Sequence, residues 1–234
     1  ETIKNKYKFI YEKFNYSQNN NSAAKIASSK YLCFLNNDTL ATPGWLDEMM
    51  KHAQFEDVGI VGPKLLFKNG KIQHAGVMMG PGGLAGHMYM GQHKNCFYTN
   101  FHKEVSAVTG ACLLIKNNIF EKIDGFDIQY MIEFQDIDLC LKTTDLGYRI
   151  IFTPYSLLYH FGSISRGLPS KTEMAHDRHL FVSRWKHKIL TIDPNAIKPM
   201  IDPKLYEQVE YWLSQRIEKT DDGNNSRSWH SNLQ

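Results

Sequence analysis

The stretch YLCFLNNDTLATPGW, residues 31–45, constrains the fold of this chain more than any other. Five mostly apolar residues, Tyr31 to Leu35, run straight into Asn36, Asn37 and Asp38. A short apolar run without polar alternation reads as a buried strand. Thr42 and Pro43 then suit the cap and first position of a helix over about 43–53, in which Trp45, Leu46, Met49 and Met50 recur at helical spacing. Strand followed at once by helix is the unit of an α/β sheet, where ligands gather at the carboxyl ends of the strands. Asp38 stands at such an end. A carboxylate there suits Mg²⁺ or Mn²⁺, hard ions that take one or two protein carboxylates and complete their shell with phosphate oxygens and water. The competing reading is that Asp38 or Thr42 caps the next helix.

The rest of the chain repeats the alternation. Lys8 to Tyr11 is a strand candidate, and Ser17 a candidate cap for a helix carrying Ala23, Ala24, Ile26 and Ala27. Short β-like runs follow in VGIVGP, KLLF and IQHAGVMM, then a Gly-, His- and Asn-rich stretch from Gly80 to Lys103 that reads as a long loop. VSAVTGACLLI resumes strand character, NNIFEKI predicts a short helix, and FQDIDLCLKTTDLGYR a helix ended near Gly147, with Ile137, Cys140, Leu141 and Thr144 on its inner face. Strands RIIFTP and SLLYH precede FGSISRGLPSK, read as a mobile loop, and two amphipathic helices. The second, over 201–219, places Leu205, Val209, Trp212 and Leu213 on one face and is expected to dock on the domain. The tail 220–234 has too few apolar residues to pack.

The chain of 234 residues suffices for one sizeable core, and no apolar run approaches the roughly 20 residues that cross a bilayer. Its formal charge of +3 is spread along the sequence, which argues against a nucleic-acid partner. Cys33, Cys96, Cys112 and Cys140 are far apart, as in a reducing compartment, and no leader-like segment opens the chain, so a cytoplasmic location is expected. His87, His93 and His102 lack cysteine partners at zinc-site spacing, and His74, inside an apolar run, is expected to be a satisfied core residue.

Five segments, FNYSQNNNSAAKIASSKYLCFLNNDTLATPGWLDEM, IVGPKLLFKNGKIQHAGV, VSAVTGACLLIK, GFDIQYMIEFQDIDLCLKTTDLGYRIIFTPYSLLYH and SISRG, fall in one order and spacing. In them the chain, from about Tyr7 to Asn195, resembles the family 2 glycosyltransferases of GT-A fold, in a branch associated with bacterial surface polysaccharide. The resemblance implies an α/β mixed sheet flanked by helices over 1–200, and inverting transfer of a sugar from a nucleotide-sugar donor to a glycan or lipid-linked glycan acceptor, assisted by Mg²⁺ or Mn²⁺. It also implies peripheral work at the inner membrane face.

By the same resemblance Asn36-Asn37-Asp38 takes the place of the family's Asp-x-Asp motif, with Asp38 its one charge, and Asp136 matches the base that receives the acceptor proton. Direct displacement needs such a base. Gln135 stands where the family often has Glu, which bears on acceptor binding. Asp138, four residues before Lys142, is expected to form a surface ion pair. His160, ending the strand SLLYH, is a second metal or diphosphate ligand. Ser163, Ser165 and Arg166 are donor-side candidates through phosphate contacts, as are Asn20 and Asn21, and Thr109-Gly110, where backbone approaches the sugar. The family's opening βαβ unit has no counterpart before Tyr7, so the chain is expected to begin inside the fold. A second reading is a catalytically silent GT-A domain serving as an interaction or saccharide-binding module.

Overall fold

A computed structural model describes residues 15–80, 84–162 and 170–189. The predicted strand at Lys8, the loop residues Ser163, Ser165 and Arg166, the helix over 201–219 and the tail lie outside the described residues. The elements run α1 Tyr16–Ile26, β1 Tyr31–Leu35, β2 Thr39–Ala41, α2 Trp45–Ala53, β3 Val58–Leu66, β4 Ile72–His74, β5 Val77–Gly80 and β6 Leu84–His87. A 3-10 turn at Phe97–Thr99 follows, then β7 Lys103–Glu104, β8 Cys112–Lys116, α3 Asn117–Lys122, α4 Gln135–Asp145, β9 Arg149–His160 and α5 Lys171–Ile189.

Seven strands form one mixed sheet in the order β1-β8-β3-β9-β2, with β4 on β3 and β7 on β9. β3 and β9 are parallel, and β8 runs antiparallel to both β1 and β3, so β1, β3 and β9 share a direction. Their carboxyl ends make one rim. Alternate residues feed two cores, as a period of two requires. Ile60, Leu66, Leu113, Ile115, Ile150 and Phe152 join the larger, against Ile137, Cys140 and Leu141 of α4. Val61, Leu65, Leu114 and Ile151 join the smaller, against Met49 and Ala53 of α2. Helices thus cover both faces, as the alternating pattern predicts.

Several boundaries differ from the sequence reading. Asn15, not Ser17, caps α1, its side chain accepting the Gln18 N–H at 2.8 Å, while Ser17 is buried. Thr42 does not cap α2: its hydroxyl donates to the Leu157 carbonyl at 2.8 Å, and the helix starts after Gly44. VGIVGPKLL forms a single strand through Pro63, where a register shift against β9 accommodates the missing N–H. The stretch read as one long loop from Gly80 contains β6, a hairpin partner of β5. The run IQHAGVMM is broken at Gly76, whose φ of +102° turns β4 away from β5.

Candidate active site

β2 is three residues long, yet it sets the rim. It pairs antiparallel with the end of β9, Thr39 opposite His160, and the Phe161 N–H donates to the Asp38 carbonyl at 2.9 Å. Two residues 122 positions apart in sequence thereby become neighbours: His160 Nε2 lies 3.1 Å from Asp38 Oδ1. Asp38 Oδ1 is buried and receives no hydrogen bond, so the contact has ion-pair distance without a donor aimed at the oxygen.

Gln73 of β4 fixes the tautomer of His160. Its amide nitrogen donates to the His160 carbonyl at 3.3 Å, which turns its Oε1 toward His160 Nδ1 at 2.7 Å. An acceptor at Nδ1 requires the proton there, leaving the Nε2 lone pair facing Asp38. Two lone-pair donors about 3 Å apart match the edge of an octahedron with bonds of roughly 2.1 Å. An orphaned buried carboxylate oxygen beside an imidazole held in this tautomer fits a hard divalent ion. Among the described residues no group of three or more His, Cys, Asp or Glu is placed to hold a metal alone. A two-ligand site therefore needs other oxygens, as sites that bind ions through substrate phosphates do. Asn36, its Nδ2 3.5 Å from His160 Nε2, lines this corner, while Asn37 is exposed in the turn.

Asp136 lies on the same rim, in the first turn of α4. Its Oδ2 accepts the Gly110 N–H at 2.7 Å and its Oδ1 the Ile137 N–H at 2.9 Å. The Gly110 carbonyl in turn accepts the Tyr16 hydroxyl at 2.7 Å. Burial, reinforced by the Asp136 charge, pushes the Tyr16 phenol far above its ordinary range, so it stays a donor. A Cβ at residue 110 would stand 2.6 Å from the Tyr16 hydroxyl, which is why this close approach takes glycine. Next along, the Ala111 carbonyl accepts the Asn36 N–H at 2.9 Å, and the Thr109 N–H meets His74 Nε2 at 3.4 Å. Residues 109–111 thus join the Asp136 corner to the Asp38 turn.

The remaining predicted residues divide. Asn21 exchanges two hydrogen bonds with the Phe126 backbone, 2.8 and 2.9 Å, and Asn20 donates to the Tyr16 carbonyl within its own helix. Asn21 thus ties α1 to residue 126, while the Asn20 bond stays within the helix. Gln135 is buried at the start of α4. Asp138 is not a surface residue: it is fully buried, accepting from Arg184 at 2.8 Å, Trp185 at 2.9 Å and Tyr130 at 3.3 Å, with Lys142 at 3.5 Å. A cavity of about 620 Å³ opens at the opposite end of β1, between Lys30, Glu56, Lys116 and Glu121, and none of the predicted residues lines it.

Sequence reasoning missed Asp177. Buried on α5, its carboxylate accepts the N–H groups of Met131, Ile132 and Glu133, at 2.6 to 3.1 Å, and so shapes the turn that delivers Asp136. Phe181 stacks on Phe134 one turn later, ring centroids 4.5 Å apart. The spacing Asp177, Phe181, Arg184, Trp185 is a helical face, but only the fold shows what it grips.

This sheet, with an acidic rim at the ends of its parallel strands, defines a GT-A domain. The sequence profile described as "Glycosyl transferase family 2" matches residues 2–124, and the chain belongs to that family. The y4gI protein of Sinorhizobium fredii is 44% identical over 160 residues, covering 66% of this chain and 18% of that protein. The O-antigen biosynthesis protein RfbC of Myxococcus xanthus is 42% identical over 159 residues, 65% of this chain and 12% of that protein. The chain therefore spans under a fifth of the length of these two relatives. The fold is similar to that of GalNAc-T7, crystallised with UDP, GalNAc and Mn²⁺, at a TM-score of 0.57 and 12% identity, covering 88% of this chain and 44% of that one.

Proposed function

We propose that this domain is an inverting glycosyltransferase that moves a sugar from a nucleotide-diphosphate donor to a hydroxyl of a growing glycan or lipid-linked glycan. Asp38 and His160 would hold Mg²⁺ or Mn²⁺, which would neutralise charge on the departing diphosphate. Asp136 receives the acceptor proton as the acceptor oxygen bonds to the anomeric carbon and the carbon–oxygen bond to phosphate breaks, its electron pair leaving with the nucleoside diphosphate. The Gly110 and Ile137 N–H groups each occupy one lone pair of that carboxylate and leave others for the proton. Asn36, Asn37, Thr109 and Gly110 face the donor in this reading, and Gln135 the acceptor side; a donor role for Ser163, Ser165 and Arg166 rests on the family resemblance alone. The similarity to a protein named for O-antigen biosynthesis supports a cell-envelope polysaccharide as product. A cytoplasmic site of action, peripheral to the inner membrane face, follows from such an acceptor. Among the described residues no helix is long and apolar enough to cross a membrane.

One observation carries the proposal: Asp38 Oδ1 and His160 Nε2 stand 3.1 Å apart on the rim that also bears Asp136. The test is transfer and donor hydrolysis by the full-length protein with a panel of UDP-, GDP- and dTDP-sugars, with and without chelator. Activity is expected only with divalent metal, and Asp136→Asn is expected to lower kcat by about 10²–10⁴-fold. Unchanged turnover in that variant removes Asp136 as base, and wild-type binding without turnover identifies a silent module.

A further inference from the structure

β4 is three residues long and its last two side chains point opposite ways. Gln73 turns to His160, as described; His74 turns to His87 on β6, Nδ1 to Nδ1 at 2.7 Å. His74 is fully buried, and its Nε2 accepts the N–H groups of Gly76 at 3.3 Å and Thr109 at 3.4 Å. A ring nitrogen that accepts from two N–H groups carries no proton, so the one proton of neutral His74 is on Nδ1. That proton is donated to His87 Nδ1, which must then be the bare nitrogen. The proton of neutral His87 is left on Nε2. Two backbone N–H groups, acting through a buried imidazole, thus set the tautomer of a second imidazole 13 residues away.

His87 is only partly buried, and through His74 and the Thr109 N–H it joins the segment whose next N–H binds Asp136. Because His74 Nε2 and His87 Nδ1 both act as acceptors, neither ring carries a second proton and the pair is uncharged in this arrangement; burial lowers both imidazoles in the same direction. An uncharged N–H donor suits a hydroxyl better than a phosphate. Between a diphosphate held at Asp38 and His160 and an acceptor oxygen at Asp136, the reaction itself places the sugar being transferred.

We infer that His87 binds the transferred sugar, donating its Nε2–H to a hydroxyl of that ring, and that His74 is the positioning residue that keeps the proton on Nε2. This rests on the function proposed above.

Two measurements on the full-length protein test it. Long-range ¹⁵N–¹H correlation spectra should show His74 protonated at Nδ1 and His87 at Nε2; the opposite order overturns the inference whatever the activity. Calorimetric binding is then compared for UDP, GDP or dTDP and for the matching nucleotide sugar that the wild type turns over. His87→Phe, which keeps a ring without a donor, should weaken the nucleotide sugar about tenfold and leave the nucleoside diphosphate within about twofold. His87→Gln, whose amide nitrogen reaches the place of Nε2, should restore most of the loss. Equal weakening of both ligands, or no weakening in His87→Phe, overturns the sugar contact. If the wild type turns over no nucleotide sugar, the functional reading itself has failed, and that is visible before any variant is made.

Discussion

Removing the Asp177 carboxylate should loosen the turn that presents Asp136, and the cost can be worked from its bonds. The carboxylate is fully buried and serves three consecutive backbone donors, Met131, Ile132 and Glu133, the shortest at 2.6 Å. Each donor stranded without an acceptor costs about 1–3 kcal/mol when buried. Met131 is exposed, so water replaces its partner, whereas Ile132 and Glu133 are half-buried and recover less. Asp177→Ala is therefore expected to cost about 3–5 kcal/mol, a large share of a typical domain's 5–15 kcal/mol. Asp177→Asn can turn its carbonyl toward Ile132 and Glu133, retaining two bonds without the charge, so it should cost about 1–2 kcal/mol. Urea unfolding at neutral pH, fitted with a common slope, separates the two values. In the alanine variant kcat should fall with little change in donor affinity, because the donor corner at Asp38 is built from other strands. A cost below about 1 kcal/mol for Asp177→Ala would refute the argument that this carboxylate organises the turn.

Lys64 offers a pH signature: burial lowers its ammonium to about 8, although Nζ donates to the Lys94 carbonyl at 3.1 Å and to Asn100 at 2.9 Å. Below that value Lys64 is charged in both folded and unfolded chains. Above it the folded chain releases the proton first, so the stability of wild type relative to Lys64→Met should rise between about pH 8 and pH 10.5; a flat difference across that range in denaturation curves refutes the buried charge. Gly110→Ala should cost about 1–3 kcal/mol by overpacking, and less in a Tyr16→Phe background, because the atom its Cβ meets at 2.6 Å is the phenol oxygen. Additive costs in that double-mutant cycle would show that the crowding lies elsewhere.

What the sequence made legible is what local pattern encodes. The apolar run before Asn36 and the rule that ligands gather at strand ends point to Asp38, and the helical spacing marks α2 and α4, whereas Asp136 and His160 are picked out through the family resemblance. Pairings across long separations were not legible. Nothing near Asp38 announces that β2 joins the end of β9, and nothing near Asp136 announces Asp177, Phe181 and Arg184, all more than forty residues downstream. Asp138 shows the same limit from the other side. Its four-residue spacing to Lys142 suggests a solvated pair, but α5 closes over it and substitutes Arg184 and Trp185 for water. The helix caps failed for a smaller reason: Asn15 and Ser17 are both good caps two positions apart, and packing rather than preference buries the serine.

The segment Thr109–Ala111 explains why these separate signals belong to one site. Backbone groups of its three residues reach four partners: the Thr109 N–H meets His74, the Gly110 N–H and carbonyl meet Asp136 and Tyr16, and the Ala111 carbonyl meets Asn36. None of these bonds needs a particular side chain at the segment itself, so its sequence carries little sign of the task beyond the glycine. The four partners are held by one short segment of backbone, so a displacement of that segment moves the contacts to all four. In the proposed reaction a sugar lodged against that backbone would meet His87, Asp136 and the Asp38–His160 corner together. Gln73, His74 and Tyr16 brace that geometry through their bonds to His160, Thr109 and Gly110.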